Sequence, residues 1–168
     1  MQKIGLFYAS STGNTEDVAK EIKEKFKDAE ISLHNLADTT DNEMQNYDHL
    51  IFGISTWGEG DLQDDWEDYL PHINRENLHN KTVAMFGLGD QEEYCEYYLD
   101  AMGIVYDYVI EAGATVVGAW SIDGYDFDES KAIRDEEFVG LALDADNQDD
   151  LTTLRIESWI QQIQPYFT

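Results

Sequence analysis

Cysteine is almost missing from this chain. Cys95 stands alone, which excludes an intramolecular disulfide and a cysteine metal cluster and fits a reducing compartment. Basic charge is scarce as well: 10 Lys and Arg face 36 Asp and Glu, for a formal net charge of -26. A nucleic-acid backbone or an anionic membrane would be repelled almost everywhere, so neither is expected as a partner. No apolar run approaches the roughly 18 residues that a membrane span requires. The start, Met1-Gln2-Lys3, passes into a strand-like segment without a signal-peptide pattern, so a soluble, cytoplasmic protein is expected. With two prolines there is no Pro-rich linker, and no repeat or low-complexity stretch interrupts the sequence. What remains is 168 residues, 42% hydrophobic and 12% aromatic, enough for one monomeric domain over residues 1–168 with its acidity on the surface.

Short apolar runs alternate with helical spacing. Strands are expected at Ile4 to Ala9, Ile31 to Leu33, Leu50 to Ile54, Thr82 to Leu88 and Thr115 to Trp120. Most are continuously apolar, the pattern of strands covered on both faces. Helices are expected over Thr15 to Phe26, Asp64 to Leu70, Tyr94 to Ala112 and Leu151 to Ile163. Gly113 reads as the stop of the third, and Asp149 and Asp150 as caps for the last. Five strands alternating with helices imply an α/β fold with a doubly wound parallel sheet. A polar, acidic stretch from Ser121 to Phe138 separates the last strand from a second apolar run, Val139 to Leu143. It reads as a surface excursion inserted into that strand, without a reactive constellation of its own.

Ligands of open α/β sheets sit beyond the carboxyl ends of the strands, which directs attention to three loops. Ser10-Ser11-Thr12-Gly13-Asn14-Thr15 leaves the first strand and opens a helix. Hydroxyls, an amide and helix N-terminal N–H groups make an anion cradle there, and Gly13 permits the tight turn. The loop has no Lys and does not match the triphosphate signature G-x-x-x-x-G-K-[ST], so a single phosphate monoester fits better. Ser55-Thr56-Trp57-Gly58-Glu59-Gly60-Asp61 follows the third strand and offers a flat indole to a planar ligand. Gly89-Asp90-Gln91-Glu92-Glu93-Tyr94 follows the fourth, where Tyr94 offers a second face and Asp90 a polar edge. A phosphate cradle, two aromatic faces and polar edge groups together suit a mononucleotide with a large ring. His34, His49, His72 and His79 show no i, i+4 pairing, and no metal site is expected.

Taken in order, these motifs resemble the long-chain flavodoxins over essentially the whole chain. The loop from Ser10 to Thr15 is similar to that family's phosphate loop, Thr56-Trp57 to its first flavin loop, and Gly89-Asp90-Gln91 through Tyr94 to its second. The stretch from Val139 through Asp144 and Asp146 to Gln148 resembles the segment after the insertion that marks the long-chain subclass. The resemblance implies a five-stranded sheet of order 2-1-3-4-5 with an insertion in the last strand. It also implies FMN as cofactor, with Ser10, Ser11, Thr12, Asn14 and Thr15 at the phosphate and Trp57 and Tyr94 on either side of the ring. Asp90 would meet the pyrimidine edge, and Asp146 and Thr56 the ribityl chain. Gly13, Ser55, Gly58, Gly60 and Gly89 belong to the same loops. Gly58 would allow the peptide rotation by which flavodoxins favour the one-electron state, while Gly58 and Ser55 differ from residues common in many members.

Two rival readings meet specific obstacles. A receiver domain needs an acidic pair after the first strand and a phosphoacceptor Asp after the third, but Ser10-Ser11 and Ser55-Thr56 stand there. An NAD(P)H:quinone reductase would also bind FMN, yet Gly87-Leu88-Gly89 has Glu92 where a dinucleotide fingerprint wants its third Gly or Ala. The resemblance implies an electron carrier without substrate turnover, and the crowd of carboxylates around a reduced flavin implies a low potential. The carrier would take electrons from an NADPH-dependent flavoprotein reductase and pass them to client redox enzymes, docking basic faces on Glu59, Asp61, Asp64, Asp65, Glu92 and Glu93.

Overall fold

The computed structural model of the protein describes residues 2–40 and 42–167. Along the chain, β1 (Gln2–Tyr8) leads to α1 (Asn14–Lys25), β2 (Ala29–Asn35), β3 (His49–Trp57) and a short β4 (Asp61–Leu62). Then come α2 (Asp64–Tyr69), α3 (Arg75–Leu78), β5 (Thr82–Leu88), α4 (Asp100–Glu111) and β6 (Thr115–Val117). Three two-residue strands, β7 (Trp120–Ser121), β8 (Ile133–Arg134) and β9 (Glu137–Phe138), precede β10 (Leu141–Leu143) and the closing α5 (Thr152–Ile163).

The main sheet runs β10-β5-β3-β1-β2, and these pairings are parallel, with Leu6 of β1 opposite Leu33 of β2 and Ile51 of β3. Successive side chains of a strand point to opposite faces, and here both faces are covered. Ile4 and Leu6 of β1, Ile51 of β3, and Ala84 and Phe86 of β5 enter one buried cluster. Val18, Ala19 and Ile22 of α1, with Ile156, Trp159, Ile160 and Ile163 of α5, close over it. Phe7, Leu50, Phe52, Val83 and Met85 enter the other, beneath Trp66 of α2, Leu78 of α3 and Met102, Val105 and Val109 of α4. Continuous apolar runs were thus the signature of strands with a helical layer on each side. The order matches the predicted 2-1-3-4-5.

The fifth strand is split. β6 pairs with Thr82 to Ala84 of β5, whereas β10 pairs with Phe86 to Leu88, so one neighbouring strand is completed by two separate pieces. The expected strand to Trp120 ends at Val117 because Gly118 turns to φ +91 and its carbonyl accepts the indole N–H of Trp159 at 3.0 Å. The insertion is more than a surface excursion. Its three short strands pair antiparallel, and Tyr125, Phe127 and the buried Phe138 pack around the ring of Tyr98.

Two helix starts also differ from expectation. The third predicted helix begins at Asp100 rather than Tyr94, because Leu99 adopts φ +59 and the Cys95 carbonyl accepts from the N–H groups of Asp128 and Glu129 instead of continuing a helical ladder. Asp149 and Asp150 do not cap α5; they form a 3-10 turn that feeds into it, and no side chain caps the helix. Gly113 does follow α4, at φ +89. Among the described residues no helix is long and apolar enough to cross a membrane.

Candidate cofactor site

A cleft of about 280 Å³ opens at the carboxyl ends of the parallel strands, lined by residues from three loops and the turn after β10. Its floor is the start of α1. Gly13 occupies the N-cap position at φ +93, where a β-carbon would be strained, and no side chain caps the helix. The first-turn N–H groups of a twelve-residue helix are therefore left for a ligand, beside Thr12, Asn14 and Thr15 on the cleft wall. Ser10 and Ser11 do not line the cleft. Ser10 Oγ accepts the Gly13 N–H at 3.0 Å and shapes the turn, while Ser11 Oγ accepts from Gln63 Nε2 at 3.1 Å. Gln63 is buried and caps α2 through its carbonyl oxygen, so it fastens the loop to that helix.

The second wall is a hairpin where the sequence pattern predicts a loop. β3 continues to Trp57 and turns back into β4, pairing Thr56 with Leu62 and Trp57 with Asp61. Gly58 at the tip has φ +48, a left-handed conformation open to glycine at little cost. Trp57 is 38% exposed, and its indole N–H donates to Ser55 Oγ at 2.9 Å, which fixes the ring against the cleft. Thr56 Oγ1 accepts the Ala101 N–H at 3.1 Å, supplying α4 with the acceptor that Leu99 at its N-cap lacks. Gly60 lies outside the cleft lining; a β-carbon there would stand 2.8 Å from Asp100 Oδ2, so its role is close approach to α4.

The third wall carries Gly89, Asp90, Glu93 and Tyr94, the last also 38% exposed. Asp90 Oδ1 accepts from the N–H groups of Glu92 at 3.1 Å and Glu93 at 2.9 Å, and from Asn147 Nδ2 at 2.7 Å. Burial pushes the Asp90 carboxyl up, but these three donors outweigh it and hold the group below the usual carboxylate value. Asp146 behaves oppositely: partial burial, then the charges of Asp90 and Asp144, raise it. Leu88, Glu93 and Ala145 also line the cleft and were not among the predicted binding residues. Leu88 and Ala145 carry no chemistry a sequence pattern would flag, and only their positions at strand ends bring them in. No group of three or more His, Cys, Asp or Glu side chains among the described residues could hold a metal ion.

The donor set fits a phosphate-bearing aromatic ligand. Neutral hydroxyl, amide and backbone donors meet at one end, and two half-exposed rings flank the same cleft further out. Such a cleft beyond the carboxyl ends of a 2-1-3-4-5 sheet defines a doubly wound mononucleotide-binding protein of the flavodoxin-like class. The comparisons agree. The flavodoxin family model matches residues 6–159. A flavodoxin of Buchnera aphidicola is 44% identical over 168 residues, covering 99% of this chain and 98% of its own length. Flavodoxin 1 of Escherichia coli is 43% identical over 160 residues, 95% of this chain and 91% of its own. The crystal structure of a Fusobacterium nucleatum flavodoxin bound to flavin mononucleotide superposes with a TM-score of 0.93 at 34% identity, covering both chains fully. This chain belongs to the flavodoxin family, and its length of 168 residues fits the long-chain type.

Proposed function

We propose that the protein binds one FMN non-covalently in this cleft and serves as a one-electron carrier without substrate turnover of its own. The observation that carries the reading is the pairing of an uncapped α1 N-terminus with two aromatic rings on the walls of one cleft. Thr12, Asn14, Thr15 and the first-turn N–H groups hold the phosphate, with Ser10, Ser11 and Gly13 shaping the turn that presents them. Trp57 and Tyr94 flank the ring, Gly89 and Asp90 meet its polar edge, and Thr56 and Asp146 stand beside the ribityl chain. Ser55 fixes Trp57, while Gly58 and Gly60 form the hairpin tip. The bound flavin supplies the one-electron chemistry; the chain binds it, orients it and sets its field.

A surface with net charge -26 steers such a carrier toward basic faces. We infer an NADPH-dependent flavoprotein reductase as donor and redox enzymes as clients, met in the cytoplasm by a monomer. Titrating the apo-protein with FMN and with riboflavin tests the cofactor. FMN should bind at least tenfold tighter, because riboflavin has no phosphate for the α1 cradle. Equal affinities, or no flavin uptake, would overturn the assignment.

A further inference from the structure

We infer that Gln91 is a positioning residue that ties the cleft loop to the insertion, so that the insertion sets the geometry of the flavin site; this rests on the FMN reading above. Gln91 is 2% exposed although it lies between Asp90 and Glu92 in a polar loop. Every polar atom of its side chain is used. Nε2 donates to Asp144 Oδ2 at 2.8 Å and to Gln148 Oε1 at 2.9 Å, and Oε1 accepts the Asp126 N–H at 2.7 Å. Its own backbone N–H donates to Asp144 Oδ2 at 3.1 Å. One side chain thus spans three segments: the loop after β5, the turn after β10 and the insertion.

The chemistry at Gln91 is specific to an amide. One end must donate to the fully buried Asp144 carboxylate, and the other must accept from a backbone N–H. A carboxylate fails at the first end, a hydrocarbon at both. From Asp144 the connection continues to the cleft. Asp144 Oδ1 accepts the N–H groups of Asp146 and Asn147, and Asn147 Nδ2 bridges Asp144 Oδ2 and Asp90 Oδ1. Asp90 and Asp146 line the cleft, and Tyr94 N–H donates back to the Asp90 carbonyl at 3.1 Å. A closed circuit therefore links the insertion at Asp126 to the residues assigned to the flavin's edge. Other bonds hold the same segments in place: the Cys95 carbonyl accepts from Asp128 and Glu129, and Asp100 Oδ1 accepts the Lys131 N–H at 2.8 Å. Those bonds lie beyond Tyr94, whereas Gln91 acts between Asp90 and Tyr94, where a displacement moves both.

The test compares Gln91→Leu and the isosteric Gln91→Glu with the wild type. Amide hydrogen exchange of the apo-proteins should show faster exchange at Glu92 and Glu93 in both variants and at Asp126 in Gln91→Leu, because a Glu oxygen can still accept the Asp126 N–H, with α5 amides unchanged. After FMN is added, both should bind it about tenfold more weakly, the scale of one lost buried hydrogen bond, and the visible circular dichroism of the flavin should change sign or amplitude. If Gln91→Leu does not fold, Gln91→Glu decides alone. Unchanged exchange at Asp126 in Gln91→Leu, unchanged exchange at Glu92 and Glu93 in Gln91→Glu, or a lower urea midpoint accompanied by unaltered FMN affinity and dichroism, would make Gln91 a packing residue and overturn the inference. Failure of the wild type to bind FMN would instead sink the cofactor reading, and the exchange comparison would still decide whether Gln91 makes the tie.

Discussion

Trp57→Ala removes one wall of the cleft, and the structure bounds its cost. A tryptophan offers up to about 250 Å² of surface, and at 38% exposure roughly 95 Å² of Trp57 is open. Taking half of that, about 50 Å², as a ring face turned to the cleft, a flavin stacked on it hides a similar area of its own. Removing about 100 Å² from water is worth about 2.5 kcal/mol at 25 cal/mol/Å², inside the range of about 1 to 3 kcal/mol per stacked base. The dissociation constant for FMN should rise about seventyfold. Titration of apo-protein into FMN, followed by flavin emission, measures this directly. It should also show the second signature, brighter bound flavin, because the indole that quenches the excited ring is gone. Tyr108→Ala is the control: at 42% exposure on α4 and outside the cleft lining, it should leave both readouts unchanged. Because most of the Trp57 side chain is already hidden against the protein and its N–H bonds Ser55, the variant should also lose about 1 to 3 kcal/mol of fold stability, which urea unfolding of the apo-protein measures separately. Unchanged affinity and emission in the Trp57 variant would place the flavin elsewhere and refute the reasoning.

Three further outcomes are expected. Gly58→Val puts a branched side chain at φ +48, a conformation costing an L-residue about 1 to 2 kcal/mol; it should narrow the separation of the two one-electron potentials in a redox titration, and an unchanged separation would count against a role for Gly58. Asp146→Asn removes one charge lining the cleft. At about 12 Å and an effective dielectric near 40 that charge repels an added electron by roughly 0.7 kcal/mol, so spectroelectrochemistry should show a potential about 30 mV higher, and no shift would mean the charge is screened. Raising salt should slow second-order reduction by an NADPH-dependent flavoprotein reductase, because screening at about 8 Å shortens the reach of the acidic face. Neutralising Asp64, Asp65 and Glu67 together should flatten that dependence in stopped-flow traces without releasing FMN, and a salt-independent rate would leave the acidity without a steering role.

The sheet was readable because its signal is redundant. Residues 50 to 54 and 82 to 88 are apolar on both faces, and only a strand between two helical layers needs that. The walls of the cleft were readable for a related reason, since Trp57 and Tyr94 are large rings in strand-end loops where no core awaits them. What stayed hidden depends on partners distant in sequence. Tyr94 to Ala112 has continuous helical spacing, yet Tyr94 to Leu99 stay outside the helix because the Cys95 carbonyl, which a helix would use, accepts from the insertion and Leu99 turns left-handed. Val117 ends its strand because Trp159 claims the next carbonyl. Ser10 and Ser11 read as ligand donors; their oxygens accept from the Gly13 N–H and from Gln63 Nε2, which leaves each O–H able to donate, and the Gln63 contact, 52 residues away, has no sequence signal. Gln91 and Asn147 look like ordinary polar loop residues, and only the position of Asp144, 53 residues from Gln91, makes them a network.

The two acidic groups on the cleft rim illustrate how the frame, and not the charge count, decides what an acid does. Asp90 is provided with three donors, so its charge is held in the fold: the stability it contributes is present above the ordinary carboxylate value near 3.9 and is lost as pH falls through its lowered one. Asp146 is partly buried and has the charges of Asp90 and Asp144 beside it, so its charged form is disfavoured; its protonated form stabilises the fold below about 3.9, and that contribution is lost as pH rises through the raised value. An electron placed on a flavin in this cleft adds a further negative charge beside both. Asp90 cannot easily answer, since protonation would break bonds to Glu92, Glu93 and Asn147. Asp146 responds more readily, because burial and the charges of Asp90 and Asp144 already disfavour its charged form. An electron on this wall therefore raises Asp146 further from an already raised position, and in a potentiometric titration across the acid range the pH dependence of the potential should be smaller in Asp146→Asn than in the wild type, while that arising from the flavin itself persists; an identical dependence in the two proteins would mean that Asp146 does not respond to the flavin's charge.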